Sequence, residues 1–140
     1  MKDIKKISQK SKNIKEFSLN YFNRLKKIFE NINEKELAKF EKNLLDARSK
    51  GKTIFVFGNG GSASTATTMA NDLGFDIIKK TKTSKAFKLL SINDNTSVLT
   101  AIANDVGYEN IFINQLKIHY RKGDIAIILS ASGNSKNLIH

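Results

Sequence analysis

At 140 residues the chain has the length of one domain, and its 40% apolar content is enough to form a core. It contains no cysteine and no proline, which excludes a disulfide framework and a cysteine-ligated zinc site and fits a reducing cytoplasm. The formal net charge of +11 raises nucleic acid as a partner, yet residues 1–52 hold fifteen Lys/Arg against seven Asp/Glu and residues 53–140 hold nine against six. The excess is therefore mostly N-terminal and interleaved with acids, the pattern of a solvated face. No RNP-like, zinc-finger or glycine-rich single-strand motif accompanies it, so nucleic acid is not an expected partner. The basic start "MKDIKKISQKSKNIKEF" lacks the apolar stretch of a signal peptide, and no window is long enough to span a bilayer. A soluble cytoplasmic protein with no membrane partner is expected.

From about Ser11 to Glu30, apolar residues recur at Phe17, Tyr21, Leu25 and Ile28/Phe29, a helical stripe with a broad aromatic face. Packing accounts for that stripe, and its breadth suits a second subunit as well as the chain's own core. "NINEKELAKFEKNLLDARSKG" reads as a second helix. Asn33 is its N-cap, with Glu36 three residues on; Leu37, Phe40, Leu44 and Ala47 share one face, and Gly51 ends it. Residues 1–52 are thus assigned to N-terminal helices for packing and oligomerisation.

After Gly51 the period changes. "TIFVF" (53–57) is apolar on both faces, as a strand covered from two sides should be. A helix follows over about Ser62 to Leu73, then a strand "AFKLLSI" (86–92), helical segments "TSVLTAIAND" and "YENIFINQLKIHY", and a third strand "DIAIILS" (124–130). Strand–helix–strand alternation predicts a parallel α/β sheet with right-handed crossovers over residues 53–140. The last strand runs into "SASGNSKNLIH", a loop opening a new helix barely a turn before the sequence stops. A three-stranded parallel sheet with one unfinished helix is short of cover, so the expectation is the front portion of a longer protein.

Two loops carry the chemical signal. Gly58-Asn59-Gly60-Gly61-Ser62 follows the first strand, and Ser130-Ala131-Ser132-Gly133-Asn134-Ser135 follows the third. In open parallel sheets ligands bind at the carboxyl ends of strands. Glycine permits tight turns and close approach, helix N-terminal N–H groups attract anions, and serine hydroxyls add small donors. A phosphate, or a phosphorylated sugar carrying it, is the ligand this pattern suits. Gly58, Gly60 and Ala63 also satisfy a dinucleotide fingerprint. Its ribose-binding acid lacks a match: Asp76 precedes the second strand and Asp94 lies too far along. No Walker A motif occurs.

"GNGGSAS", "LTAIANDVGYENIF" and "GDIAIILSASGNS", in that order, closely resemble the sugar isomerase (SIS) domain of the phosphoheptose isomerase family. The resemblance runs from about residue 37 to the end. It implies a three-layer α/β/α, flavodoxin-like parallel sheet behind N-terminal helices, a homotetramer formed through those helices, and conversion of sedoheptulose 7-phosphate for lipopolysaccharide or capsule heptose. It further implies substrate contacts from Asn59, Gly60, Gly61 and Ser62, from Asn104 and Asp105, and from Ser130, Ala131, Ser132 and Ser135 around the phosphate. The family places a zinc-binding His and Glu four residues apart after the first loop; here those positions are Thr68 and Asp72. Threonine is a poor zinc ligand and aspartate is one methylene short, so zinc is a family expectation with an incomplete site. Asp72 is the candidate base, with Asp105 the second candidate catalytic acid or base. The family's remaining glutamine and histidine lie on a later helix outside these 140 residues. His119, on an apolar-rich helix, reads as packing or surface, and His140 is terminal. Two alternatives stay open: a non-catalytic SIS module such as a replication-initiator-associating protein, and a sugar-phosphate sensor.

Overall fold

The structure, a computed structural model, describes residues 2–139; His140 lies outside the described residues. The chain divides into two compact units, residues 1–41 and 42–140.

The first unit contains α1 (Lys2–Lys10), α2 (Ile14–Glu30) and the leading part of α3 (Glu34–Ser49). The hydrophobic period gave no sign of α1. Ser11 ends it by donating from Oγ to the Ile7 carbonyl at 2.7 Å. Asn13 then caps α2, its Oδ1 accepting from Glu16 N–H at 2.9 Å, while Glu16 Oε2 accepts from Lys12 N–H at 2.7 Å. The first bond satisfies an amide that a helix start otherwise leaves without a partner, and the second ties the residue before the cap to the first turn. Asn33 Oδ1 accepts from the Lys35 and Glu36 N–H groups, so α3 starts at the cap read from the sequence. Along α2, Phe17 and Tyr21 stack with centroids 6.3 Å apart and are half-buried, but Phe22 is 65% and Phe29 68% exposed.

In the second unit the end of α3 leads into β1 (Thr53–Gly58), the middle strand of a parallel sheet ordered β2-β1-β3. Its partners are β2 (Lys88–Ser91) and β3 (Ile125–Leu129). Ile54 aligns with Leu89 on one side and Ile125 on the other. Residues 54–58 are all buried, the reason this segment is apolar without alternation. Phe55 and Phe57 face one layer, where they join Ile92, Ile111, Phe112 and Leu138, with Leu99, Ile102 and Leu116 packed around them. Ile92 directly follows β2, and the others belong to α6 (Thr96–Val106), α7 (Ile111–His119) and the short α8 (Lys136–Ile139). Ile54 and Val56 point to the opposite layer, which α4 (Gly61–Asn71) covers with the fully buried Ala66. The parallel sheet with helices on both faces is the fold class read from the sequence. Cover is thickest over β1: Leu90 and Ile128, aligned with Phe55 and Phe57 on the edge strands, remain about half exposed.

Two boundaries differ from expectation. The helix expected to end near Leu73 continues through a π turn (Asp72–Asp76) into α5 (Ile77–Thr81) and stops at Lys82, whose φ is 55°. Gly74 lies in open space within the π turn, and Asp76 pairs with Lys80 at 2.8 Å one turn on. The second strand is shorter than 86–92 because Ala86 and Phe87 precede it in a segment held by α3: Arg48 donates to the Lys85 carbonyl at 2.9 Å and stacks 5.1 Å over the Phe87 ring.

The start of the sheet is fastened by Asp124, just before β3. Its Oδ1 accepts from Thr53 N–H and its Oδ2 from Arg121 N–H, each at 2.9 Å. Burial pushes this carboxyl up, but those two amides, with Lys52 and Lys88 nearby, outweigh it and hold the pKa below the usual carboxylate value. A depressed folded pKa contributes stability above the unfolded value, about 3.9, that is lost as pH falls through the folded one. Asp124→Asn is therefore expected to lower the melting temperature at pH 7, with the difference from wild type shrinking as pH drops below about 4. A difference that stays constant from pH 7 down to acid unfolding would contradict this. In the core, Phe57 and Phe112 have centroids 4.7 Å apart and both are buried. Phe112→Ala is expected to cost about 3–5 kcal/mol in urea unfolding.

Candidate functional site

The glycines after β1 have separate tasks. A Cβ on Gly58 would sit 2.6 Å from the Leu129 carbonyl oxygen and 2.7 Å from Ser62 Cβ, so this glycine lets β3 and α4 close against the strand end. Gly60 is the N-cap of α4 with φ 54° and ψ −123°, a backbone state that L side chains rarely adopt. Nothing lies within 4 Å of a Cβ built on Gly60 or Gly61, so space for a ligand opens there and not at Gly58. In the first turn of α4, Ser62 N–H donates to the Asn59 carbonyl and the Ala63 and Ser64 N–H groups donate to the Gly60 carbonyl.

Asn93, after β2, clamps the same strand end: Gly58 N–H donates to its Oδ1 at 3.1 Å and its Nδ2 donates to the Gly58 carbonyl at 2.9 Å. Next to it, Asp94 Oδ1 accepts from the Thr67 hydroxyl at 2.6 Å and the Ser91 hydroxyl at 3.1 Å, tying α4 to β2. That employment leaves the dinucleotide reading without its acid.

The loop after β3 is exposed and shaped by its own hydroxyls. Ser130 Oγ accepts from Gly133 N–H at 3.0 Å and Ser132 Oγ from Asn134 N–H at 3.2 Å, the local turns that serine favours. Ser135 offers its carbonyl to Leu138 N–H as α8 begins. Side chains join the first loop to α8, the helix that follows the second loop. Asn59 and Asn137 exchange two amide hydrogen bonds of 2.9 and 2.8 Å, and the Tyr108 hydroxyl donates to Asn59 Oδ1 at 3.1 Å.

Beneath the first loop lies a small cavity of about 180 Å³, bounded by Asn59, Gly60, Ala63, Thr100, Ala103 and Tyr108. Of the residues named from sequence, Asn59 and Gly60 line it, Gly61 and Ser62 stand beside it in the same loop, and Ser130, Ala131, Ser132 and Ser135 form the adjoining loop. Asn104 and Asp105 sit exposed at the end of α6, hydrogen-bonded to each other at 2.9 Å, and are not among the cavity's lining residues. Thr68 and Asp72 line a different, shallower depression with Ser64, Thr65, Met69 and Leu73. There Asp72 accepts from Asn71 Nδ2 at 3.2 Å. The pair supplies one carboxylate and one hydroxyl, and among the described residues no group of three His, Cys, Asp or Glu is placed to hold a metal ion. The hydroxyl of Thr68 fits zinc poorly where an imidazole, thiolate or carboxylate is the usual ligand, and Asp72 offers the pair's one suitable donor. His119 is exposed.

Asn93, Tyr108 and Asn137 escaped the sequence reading. Asn93 directly follows the second strand segment and Tyr108 lies inside "LTAIANDVGYENIF", but nothing local marks Asn137, whose partner is 78 residues away.

The family described as the SIS domain matches residues 20–140. A probable phosphoheptose isomerase of Thermoplasma acidophilum is 37% identical over 109 residues, which is 78% of this chain and 58% of that protein. A phosphoheptose isomerase of Geotalea daltonii is 36% identical over 115 residues, covering 80% of this chain and 58% of its own length. Among solved structures, phosphoheptose isomerase GmhA from Neisseria gonorrhoeae superposes with a TM-score of 0.76 at 29% identity, covering 91% of this chain and 66% of that one. The chain thus spans little more than half the length of the curated relatives it matches. With its parallel sheet, its two loops at the strand ends and a family match over residues 20–140, the chain belongs to the SIS domain family.

Proposed function

We propose that the chain binds a phosphorylated sugar at its two strand-end loops and serves aldose–ketose isomerisation of the sedoheptulose 7-phosphate type. The observation carrying this reading is the junction, through Asn59 and Asn137, of the glycine loop with the helix that the serine loop opens. Serine hydroxyls and backbone amides suit a phosphate, and the open space over Gly60 and Gly61 suits a sugar chain beside it. The names of the curated relatives support the same substrate class. In this reading Asn59, Gly60, Gly61 and Ser62 contact the sugar, and Ser130, Ala131, Ser132 and Ser135 hold the phosphate. Asn104 and Asp105 contribute from the end of α6.

Isomerisation moves a proton between neighbouring carbons through an enediol, which needs a base, an acid and donors for the developing oxyanion. Asp72 is the assigned base and Asp105 the second acid–base group. Among the described residues, Asp72 lines a depression apart from the loop cavity. That separation favours a second reading, a SIS module that binds sugar phosphate without turnover. Titration calorimetry with sedoheptulose 7-phosphate, followed by NMR of the same mixture, distinguishes the two. Saturable binding competed by inorganic phosphate, with appearance of the aldose, is the expected result. Binding without the aldose leaves the non-catalytic reading, and no saturable binding removes both. Gly60→Ala places a side chain in the left-handed region, a strain of about 1–3 kcal/mol, and is expected to weaken sugar-phosphate binding.

The N-terminal helices belong to this proposal as an oligomerisation element. Phe22 and Phe29 on α2 present aromatic surface that a second copy would cover. Light scattering on the wild type should report an oligomer, the homotetramer of the family, and Phe22→Ser with Phe29→Ser should shift it to smaller species. An unchanged mass in the double variant would count against that face.

A further inference from the structure

The reciprocal amide pair has a consequence beyond joining the first loop to α8. Each amide offers one oxygen with two lone pairs and one nitrogen with two hydrogens. Asn59 Oδ1 receives Asn137 Nδ2 at 2.8 Å and the Tyr108 hydroxyl at 3.1 Å, so both of its lone pairs are engaged. Asn59 Nδ2 gives one hydrogen to Asn137 Oδ1 at 2.9 Å, and one hydrogen is left over. Asn137 itself is only 5% exposed, where an unmatched amide is costly and a matched pair holds one geometry. Asn59 is half-buried beside Gly60, at the cavity mouth, and Tyr108 reaches it from the exposed turn between α6 and α7.

We propose that Asn137 is a positioning residue which, together with Tyr108, fixes the Asn59 side chain so that it meets a ligand only as an N–H donor. The ligand group that matches is an acceptor oxygen, from a sugar hydroxyl or a phosphoryl group. The assignment rests on the sugar-phosphate reading above and deepens it. Asn137 acts through Asn59 and touches no ligand.

A double-mutant cycle in the full 140-residue chain tests this, read by sedoheptulose 7-phosphate affinity and by the side-chain amide resonances of 15N-labelled asparagine. Asn137→Ala is expected to weaken binding about tenfold, and in an Asn59→Ala background to weaken it further by less than about twofold. Equal losses in both backgrounds would overturn the positioning role. Tyr108→Phe, at an exposed position that folding should tolerate, covers the case in which Asn137→Ala does not fold. It is expected to weaken binding about threefold at an unchanged melting temperature, again only while Asn59 is present. The same loss in the Asn59→Ala background overturns the proposal. If the wild type binds no sugar phosphate, the functional reading fails by itself and the amide resonances still decide the positioning. Shifted, faster-exchanging Asn59 side-chain resonances in Asn137→Ala, or in Tyr108→Phe where that variant stands in, support it, and unmoved ones overturn it.

Discussion

The absence of room for a side chain at Gly58 governs the functional end of this fold. The carbonyl of Leu129 and the Cβ of Ser62 both lie closer to its α-carbon's free face than a methyl group tolerates. A methyl there would push β3 away from β1 or tilt α4 off the sheet. Asn93 grips the same residue by both its backbone N–H and its carbonyl. One glycine therefore sets the relative positions of a middle strand, an edge strand, a helix start and the loop after β2.

The opposite end of the sheet is fastened by different means. Asp124 takes the amides of Thr53 and Arg121, Lys52 reaches the Lys122 carbonyl at 2.9 Å, and Tyr120 donates to the Asp124 carbonyl at 2.7 Å. These bonds join the strand beginnings without crossing the core, which is left to Phe55, Phe57, Phe112 and their neighbours. The division suits the chemistry. The fastened end can be rigid and charged, while the far end spends glycine and serine on leaving space, and the apolar layer between them transmits alignment from one to the other.

Much of this was legible from residues alone, for identifiable reasons. "TIFVF" is apolar at every position because both of its faces are covered, and Asn33 and Gly51 bracket a helix by cap chemistry that acts within a few residues. Local signals like these survive in a single sequence. What was missed depended on distance or on the partner element. Gly58 and Gly60 look alike in a string, yet one makes room for packing and the other holds a positive φ. The helix continues past Leu73 through a π turn that contains Gly74. Asn93 and Asn137 find partners 35 and 78 residues away, and no periodicity reports that. Along the aromatic stripe of α2, Phe17 and Tyr21 are half-buried while Phe22 and Phe29 stay exposed within one chain.

The strand order β2-β1-β3 also sets a timetable. β1 is synthesised first, but one of its partners follows about 35 residues later and the other, fastened by the Thr53–Asp124 bond, 71 residues later. At roughly 5–20 residues per second, β1 waits about 4–14 s on the ribosome before β3 has been made. During that interval a strand that ends up buried from residue 54 to 58 has at most one neighbour and part of its helical cover. Closing so distant a pair late also makes for slow folding by contact order. The most protected strand of the finished domain is thus its most exposed one during birth, and the nascent chain's need for a chaperone should be greatest between the emergence of β1 and that of β3.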